Sequence, residues 1–243
     1  MSITHDELKT RIGSLHGAVL FYGSEEYLKD YYSGVLRKRV ESSPLPEFNH
    51  TFFNAAAESV NDLEEAAFSL PYMWETKLIE VNEIQNVKLS EDDCEGYARV
   101  FADLPEYVTV LIVLRGGAVE EKELGKKKSG LEGLVRAVEK TGTVVSFGAE
   151  KPEKLRAWIT RHFDAQGLKF DPAVPRELLA YCGTDMYALR SELEKLSVAC
   201  EGRTVKTADI YKYCCGNVTY KYYDIVDALA RRDMLSAKRI LDS

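Results

Sequence analysis

Two regimes of hydrophobic patterning divide the chain. Up to residue 147, short apolar runs alternate with helical periodicities; beyond it only helical periodicities remain. Ile3–Leu15 (ITHDELKTRIGSL) reads as an amphipathic helix with Thr4 as N-cap and Glu7 completing a capping box. Gly17 gives way to Ala18–Tyr22, a continuous apolar run suited to a strand buried on both faces. A helix over Glu25–Arg39 follows, with Ser24 as its N-cap. After the loop Pro44–Pro46, Phe48–Asn54 has strand composition and Ser59–Phe68 is amphipathic, with Leu63, Ala66 and Ala67 on one side. A strand over Lys77–Val81 and a helix over Glu91–Phe101 come next, then Tyr107–Leu114, the most hydrophobic strand and therefore central. A helix around Leu131–Glu139 leads to a fifth strand, Gly142–Phe147. Strands alternating with helices imply an α/β fold: a largely parallel sheet with helices on both faces, ending near Gly148.

The second regime begins with a helix over Pro152–Gln166, opened by proline and stopped by Gly167. Pro175–Cys182, Asp185–Cys200 and Thr207–Cys214 are further helices. The third of these four carries Leu189, Leu193 and Leu196 on one face and turns Glu192 and Glu194 outward. New helices open at Asp224–Leu229 and Met234–Leu241, and the pattern stops at Ser243 without a cap, which leads to the expectation of a third domain cut short. The expected division is 1–148, 149–217 and 218–243.

One stretch breaks the pattern. In Ser69–Val81 (SLPYMWETKLIEV), Pro71 biases Leu70 away from helical geometry and ends the preceding helix. Leu70, Tyr72, Met73 and Trp74 are then left in a connecting turn, and turns run over the surface. Each would gain roughly 1.5–3 kcal/mol by leaving water. Either they close the bottom of the sheet, Trp74 first among them, or they enter a partner's pocket.

A net charge of −7 argues against a free-standing nucleic-acid binder, whose footprint is basic. No run approaches the roughly 18 apolar residues of a membrane span, so no membrane partner is expected. The start of the chain lacks a basic stretch followed by an apolar one, so the expectation is a cytoplasmic protein without a signal peptide. Five scattered cysteines (Cys94, Cys182, Cys200, Cys214, Cys215) have no zinc-site spacing and read as reduced, structural thiols, so no metal is expected. His5, His16, His50 and His162 form no constellation by spacing, and the tyrosines at 220, 222 and 223 read as helix packing.

The turn Gly23-Ser24-Glu25-Glu26 stands where an α/β nucleotide-binding protein keeps its phosphate loop. It has one glycine, no lysine and two carboxylates, which would repel a triphosphate; no ATP binding and no cofactor are expected. The lookalike Gly125–Gly130 has Glu120 where the first glycine belongs and Lys127 where Ser or Thr is needed, and reads as a solvated basic loop. Asn82-Glu83 is an accidental echo of a magnesium-binding strand end, and Arg190 is placed for an ion pair with Glu194.

Three stretches together resemble the delta subunit of the bacterial DNA polymerase III clamp loader. They are Val19–Leu28 (VLFYGSEEYL), Ser69–Trp74 (SLPYMW) with the strand Leu78–Val81, and Gly183–Leu196 (GTDMYALRSELEKL) with Tyr223–Leu229 beyond. The resemblance runs over essentially the whole chain in the right order. It implies an AAA+ type fold: a RecA-like parallel sheet domain with a degenerate phosphate loop, a three-helix lid, and the first helices of a truncated collar. It further implies a subunit without catalysis of its own, within a nucleotidyltransferase holoenzyme that replicates DNA. Its partners would be the β sliding clamp, the gamma/tau and delta prime subunits, and primer-template DNA only within the assembled complex. The clamp-binding wedge would be Leu70, Pro71, Tyr72, Met73 and Trp74, where Tyr72 and Met73 depart from the family's usual Leu-Phe or Pro-Phe-Phe type. The competing readings are a divergent P-loop NTPase, a DNA-binding replication factor, and delta prime, whose zinc-binding cysteine module these cysteines cannot build.

Overall fold

The computed structural model describes residues 2–119, 129–217 and Met234. The lookalike loop at 125–128, the three tyrosines at 220–223 and, Met234 apart, both collar helices lie outside the described residues. The chain divides into two compact units, Met1–Ala149 and Glu150–Ser243.

The first unit is built on one sheet. Its strands are β1 (Ser2–Thr4), β2 (Gly17–Tyr22), β3 (His50–Asn54), β4 (Lys77–Asn82), β5 (Val108–Val113) and β6 (Thr143–Ser146). They lie in the order β1-β6-β2-β5-β4-β3, each neighbouring pair parallel. Tyr107–Leu114, expected to be central, supplies the interior strand β5. The helices are α1 (His5–Arg11), α2 (Glu26–Glu41), α3 (Pro46–Asn49), α4 (Val60–Phe68), α5 (Glu91–Ala102) and α6 (Gly130–Thr141).

Strand alternation sorts the core into two layers. Ala18, Leu20, Tyr22, Val110 and Ile112 pack with Leu63, Tyr97, Val100, Phe101 and Leu134 from α4, α5 and α6. Val19, Phe21, Leu78, Leu111 and Val145 face the other way, onto Leu8 of α1 and Tyr32, Leu36 and Val40 of α2. Helices on both faces of a parallel sheet bury the interior strands β2 and β5 on either side, which explains why these two read as unbroken apolar runs.

Two expectations are corrected in this unit. Ser2–Thr4 form a sixth strand rather than the first turn of a helix, pairing with β6 from Ser2↔Val144 to Thr4↔Ser146. A three-residue edge strand is too short for its periodicity to register. Thr4 still opens α1, with its N–H donating to the Glu7 carboxylate at 2.8 Å. At α2 the N-cap is Glu25, not Ser24: the Glu25 carboxylate accepts from the Tyr27 N–H at 3.1 Å.

Among its described residues the second unit has four helices, not the three that the resemblance implies: α7 (Pro152–Ala165), α8 (Val174–Cys182), α9 (Met186–Ala199) and α10 (Thr207–Tyr213). Pro175 opens one and Gly183, at φ +84°, closes it, so the chain is cut into shorter helices. Leu189, Leu193 and Leu196 are buried as their spacing predicts. Glu192, expected to face water, is buried too; Glu194 pairs with Arg190 at 2.9 Å.

Candidate functional site

The connection between α4 and β4 is held from both sides. Where α4 ends, the buried Lys77 reaches back, its Nζ donating to the Ala66 carbonyl at 2.7 Å and to the Ser69 hydroxyl. The Tyr107 hydroxyl donates to the Phe68 carbonyl at 3.1 Å. From the other side Asn49, fully buried at the end of α3, grips the backbone of Tyr72 with both ends of its amide. Its Nδ2 donates to the Tyr72 carbonyl at 2.9 Å and its Oδ1 accepts from the Tyr72 N–H at 2.7 Å. The Trp74 indole N–H donates to the Arg39 carbonyl at 2.9 Å.

With the backbone fixed, the side chains point outward. Leu70 is 79% exposed, Met73 71%, Tyr72 48% and Trp74 36%. These residues do not close the bottom of the sheet; Trp74 is the least exposed of the four because Arg39 holds its indole. Met73 lies at φ +48°, in the left-handed region. A side chain with a Cβ costs roughly 1–2 kcal/mol there. The loop therefore combines exposed apolar area and backbone strain in one place, where neither helps the free chain. Phe48, at the start of this ridge, is exposed and tilts its ring against Tyr72, with centroids 5.3 Å apart.

The turn at Gly23 is arranged in the opposite way. Gly23 has φ +110°, and a Cβ there would stand 2.3 Å from the Phe147 carbonyl oxygen, so only glycine fits. Lys29, fully buried one turn into α2, sends its ammonium back to the Gly23 carbonyl at 2.8 Å, the Leu114 carbonyl at 2.7 Å and the Glu26 carboxylate at 2.7 Å. Glu26 also accepts from Arg115 at 3.0 Å and from the Gly116 N–H at 2.9 Å. Burial raises the Glu26 carboxyl, but these three donors outweigh it and hold the group below its usual range. Burial likewise pushes the Lys29 ammonium down while Glu26 opposes it. A lysine, an arginine and a backbone N–H are thus gathered around an anion that the chain itself provides. Ser24 is exposed beside it.

A third polar group lies under α2. Glu80, buried on β4, accepts from Arg37 through both oxygens, each at 2.6 Å, and makes a 2.7 Å contact with the His50 ring. Burial works to raise the Glu80 carboxyl, but the Arg37 and His50 hydrogen bonds prevail and bring it down to about 2. Beside this group a cavity of about 270 Å³ opens at the C-terminal ends of β4 and β5. Its Arg37 is already paired with Glu80, and its Arg115 with Glu26 and Asp30. Glu83 lines it too, at φ +60°, and accepts from Asn86 at 2.5 Å.

The structure thus places Leu70, Pro71, Tyr72, Met73 and Trp74 together on one ridge and Gly23, Ser24, Glu25 and Glu26 at the mouth of α2. It adds residues that sequence reasoning missed. Asn49 and Lys77 carry no motif, and a buried polar residue flanking a strand gives no sign of its partner. Phe48 belongs to the short helix α3 rather than to the strand that its composition predicts. His50 joins Glu80 and Arg37 across sequence distances that spacing does not reveal.

No family model matches the sequence, and no curated protein matches it. Among solved structures, the Bacillus subtilis DNA clamp loader delta protein is similar, with a TM-score of 0.66 at 14% identity over 97% of this chain and 70% of that one. The chain shares that protein's fold. The α/β architecture expected from the sequence, a parallel sheet with helices on both faces, is the one observed. A Thermotoga maritima RuvB Holliday junction branch migration motor (TM-score 0.46, 12% identity, 85% of this chain, 63% of that one) is more distant. So is a Thermotoga maritima DNA polymerase III gamma subunit-related protein (0.44, 12%, 98% and 76%). Among the described residues no helix is long and apolar enough to cross a membrane.

Proposed function

We propose that this chain is a clamp-loader subunit of the delta kind, which binds the β sliding clamp through Leu70, Pro71, Tyr72, Met73 and Trp74 and opens the ring. The observation that carries the reading is the α4–β4 connection: its backbone is pinned by Asn49 and Lys77 while its apolar side chains stand in water. A ligand loop already held in shape loses little entropy on binding. Large aromatic and flexible apolar side chains are the usual anchors of an interface. The shared fold with a clamp loader delta protein supports the same reading.

The first unit would be the RecA-like domain. Residues 149–217 would form the lid, and those from 218 on would begin a collar that joins this subunit to the gamma/tau and delta prime subunits, with primer-template DNA met only in that assembly. The chain would turn over no nucleotide itself, since the group a triphosphate would need at Gly23 is already engaged by Glu26. The test is ring opening. Excess chain should release β clamps from nicked circular DNA without ATP, and a chain carrying both Tyr72→Ala and Met73→Ala should not. Release at equal rates by both proteins would refute the wedge.

A further inference from the structure

The second unit gathers three donors that no spacing pattern announced. Cys182 ends α8, Cys214 caps α10 and Glu192 lies midway along α9; all are buried, and their sulfur and oxygen atoms lie within 4.8 Å of one another. The segment after α10 is folded back to deliver Cys214. The Asn217 N–H donates to the Tyr181 carbonyl at 3.0 Å, and Gly183 must lack a Cβ because the Asn217 side chain would stand 2.1 Å from it. At the mouth of the cluster, Lys195 Nζ lies 2.5 Å from the Glu192 carboxylate and 3.8 Å from the Cys215 sulfur, while the Cys215 N–H donates to Glu192 at 3.2 Å.

We propose that Cys182, Cys214 and Glu192 form a structural site for zinc that ties α8, α9 and α10 together. Tetrahedral zinc with sulfur at about 2.3 Å and carboxylate oxygen at about 2.0–2.2 Å places its donors roughly 3.5–4 Å apart. Donors already within 4.8 Å need side-chain rotation of about an ångström, not backbone movement. Two thiolates and a carboxylate favour zinc over the hard cations, which take oxygen alone. Ligation transfers no electrons: each of the two thiols gives its proton to water as its sulfur binds the metal. Lys195 then serves to offset the surplus negative charge of the ligand set. A buried carboxylate wedged between two thiols contributes little to an apolar core, whereas a small helical unit gains most from a cross-link of this kind.

The experiment uses the full chain, purified reduced and free of chelator, and titrated with cobalt(II). One equivalent should bind, giving a thiolate-to-cobalt charge-transfer band and the visible bands of tetrahedral cobalt, both bleached by stoichiometric zinc. Cys182→Ser and Cys214→Ser should each weaken binding a hundredfold or more, and Glu192→Gln tenfold or more with the charge-transfer band retained. Cys200→Ser, buried in the same unit outside the cluster, should change nothing. Should the serine variants fail to fold, the intact chain still decides: zinc should raise its unfolding temperature, and a chelator should reverse the rise. A wild-type chain with no charge-transfer band, no zinc-dependent rise in unfolding temperature, or undiminished binding in folded Cys182→Ser and Cys214→Ser would overturn the site.

Discussion

The turn at Gly23 and the connection from Leu70 to Trp74 are two loops of the same unit treated in opposite ways. At Gly23 every strong group is answered from within: Lys29 by two carbonyls and Glu26, and Glu26 by Lys29, Arg115 and the Gly116 N–H. At Leu70–Trp74 the polar groups are answered, the Tyr72 backbone by Asn49, the Trp74 indole by Arg39 and the preceding helix end by Lys77 and Tyr107, while four large apolar side chains remain in water and Met73 keeps a left-handed backbone. The first loop is finished as it stands. The second leaves its apolar side chains in water. In an α/β fold the first position is where ligands are expected, and here the chain has moved its unsatisfied surface to the other.

Stability measurements should separate the two loops. The largest effect belongs to the closed one. Lys29→Met would leave Glu26 with less support and the Gly23 and Leu114 carbonyls without this donor, and should cost about 3–5 kcal/mol in urea unfolding. A loss below about 1 kcal/mol would mean that the turn is not held in the way described. Asn49→Ala sharpens the contrast from the other side, since it removes both bonds to the Tyr72 backbone. It should cost about 1–3 kcal/mol and also weaken clamp binding, although Asn49 is buried and could touch no partner. Unchanged clamp affinity would separate loop rigidity from binding. The smallest effect is Met73→Gly, which relieves the left-handed strain while adding backbone freedom to the unfolded chain. A net gain of a few tenths up to about 1 kcal/mol in thermal unfolding is expected, together with weaker clamp binding. A loss of stability would show that the Met73 side chain serves the fold.

Legibility in the sequence followed the range of the interactions. The sheet was readable because its strands are buried on both faces, so Ala18–Tyr22 and Tyr107–Leu114 carry unbroken apolar runs. The edge strand Ser2–Thr4 was not, because three residues give no period. The apolar ridge was visible through Pro71, a local signal that stops a helix and strands four large side chains in a turn. What pins the ridge was hidden. Asn49 meets Tyr72 from a distant part of the chain, and Lys77 reads as an ordinary strand start until the end of α4 is seen beside it. Glu192 misled for the same reason: helical periodicity turned it outward, and only the return of the chain after α10 covers it.

The central claim is that the exposed ridge carries the binding energy and none of the folding energy. Its most direct test is the affinity of the chain for its cognate β clamp by surface plasmon resonance, with and without Tyr72→Ala and Met73→Ala together. Thermal unfolding of both proteins is recorded alongside. The account predicts that the double variant folds as stably as the wild type to within about 1 kcal/mol, as exposed substitutions do, and binds at least about 2 kcal/mol more weakly, as loss of a hot spot requires. Equal clamp affinity, or an affinity loss that merely tracks a loss of stability, would contradict it.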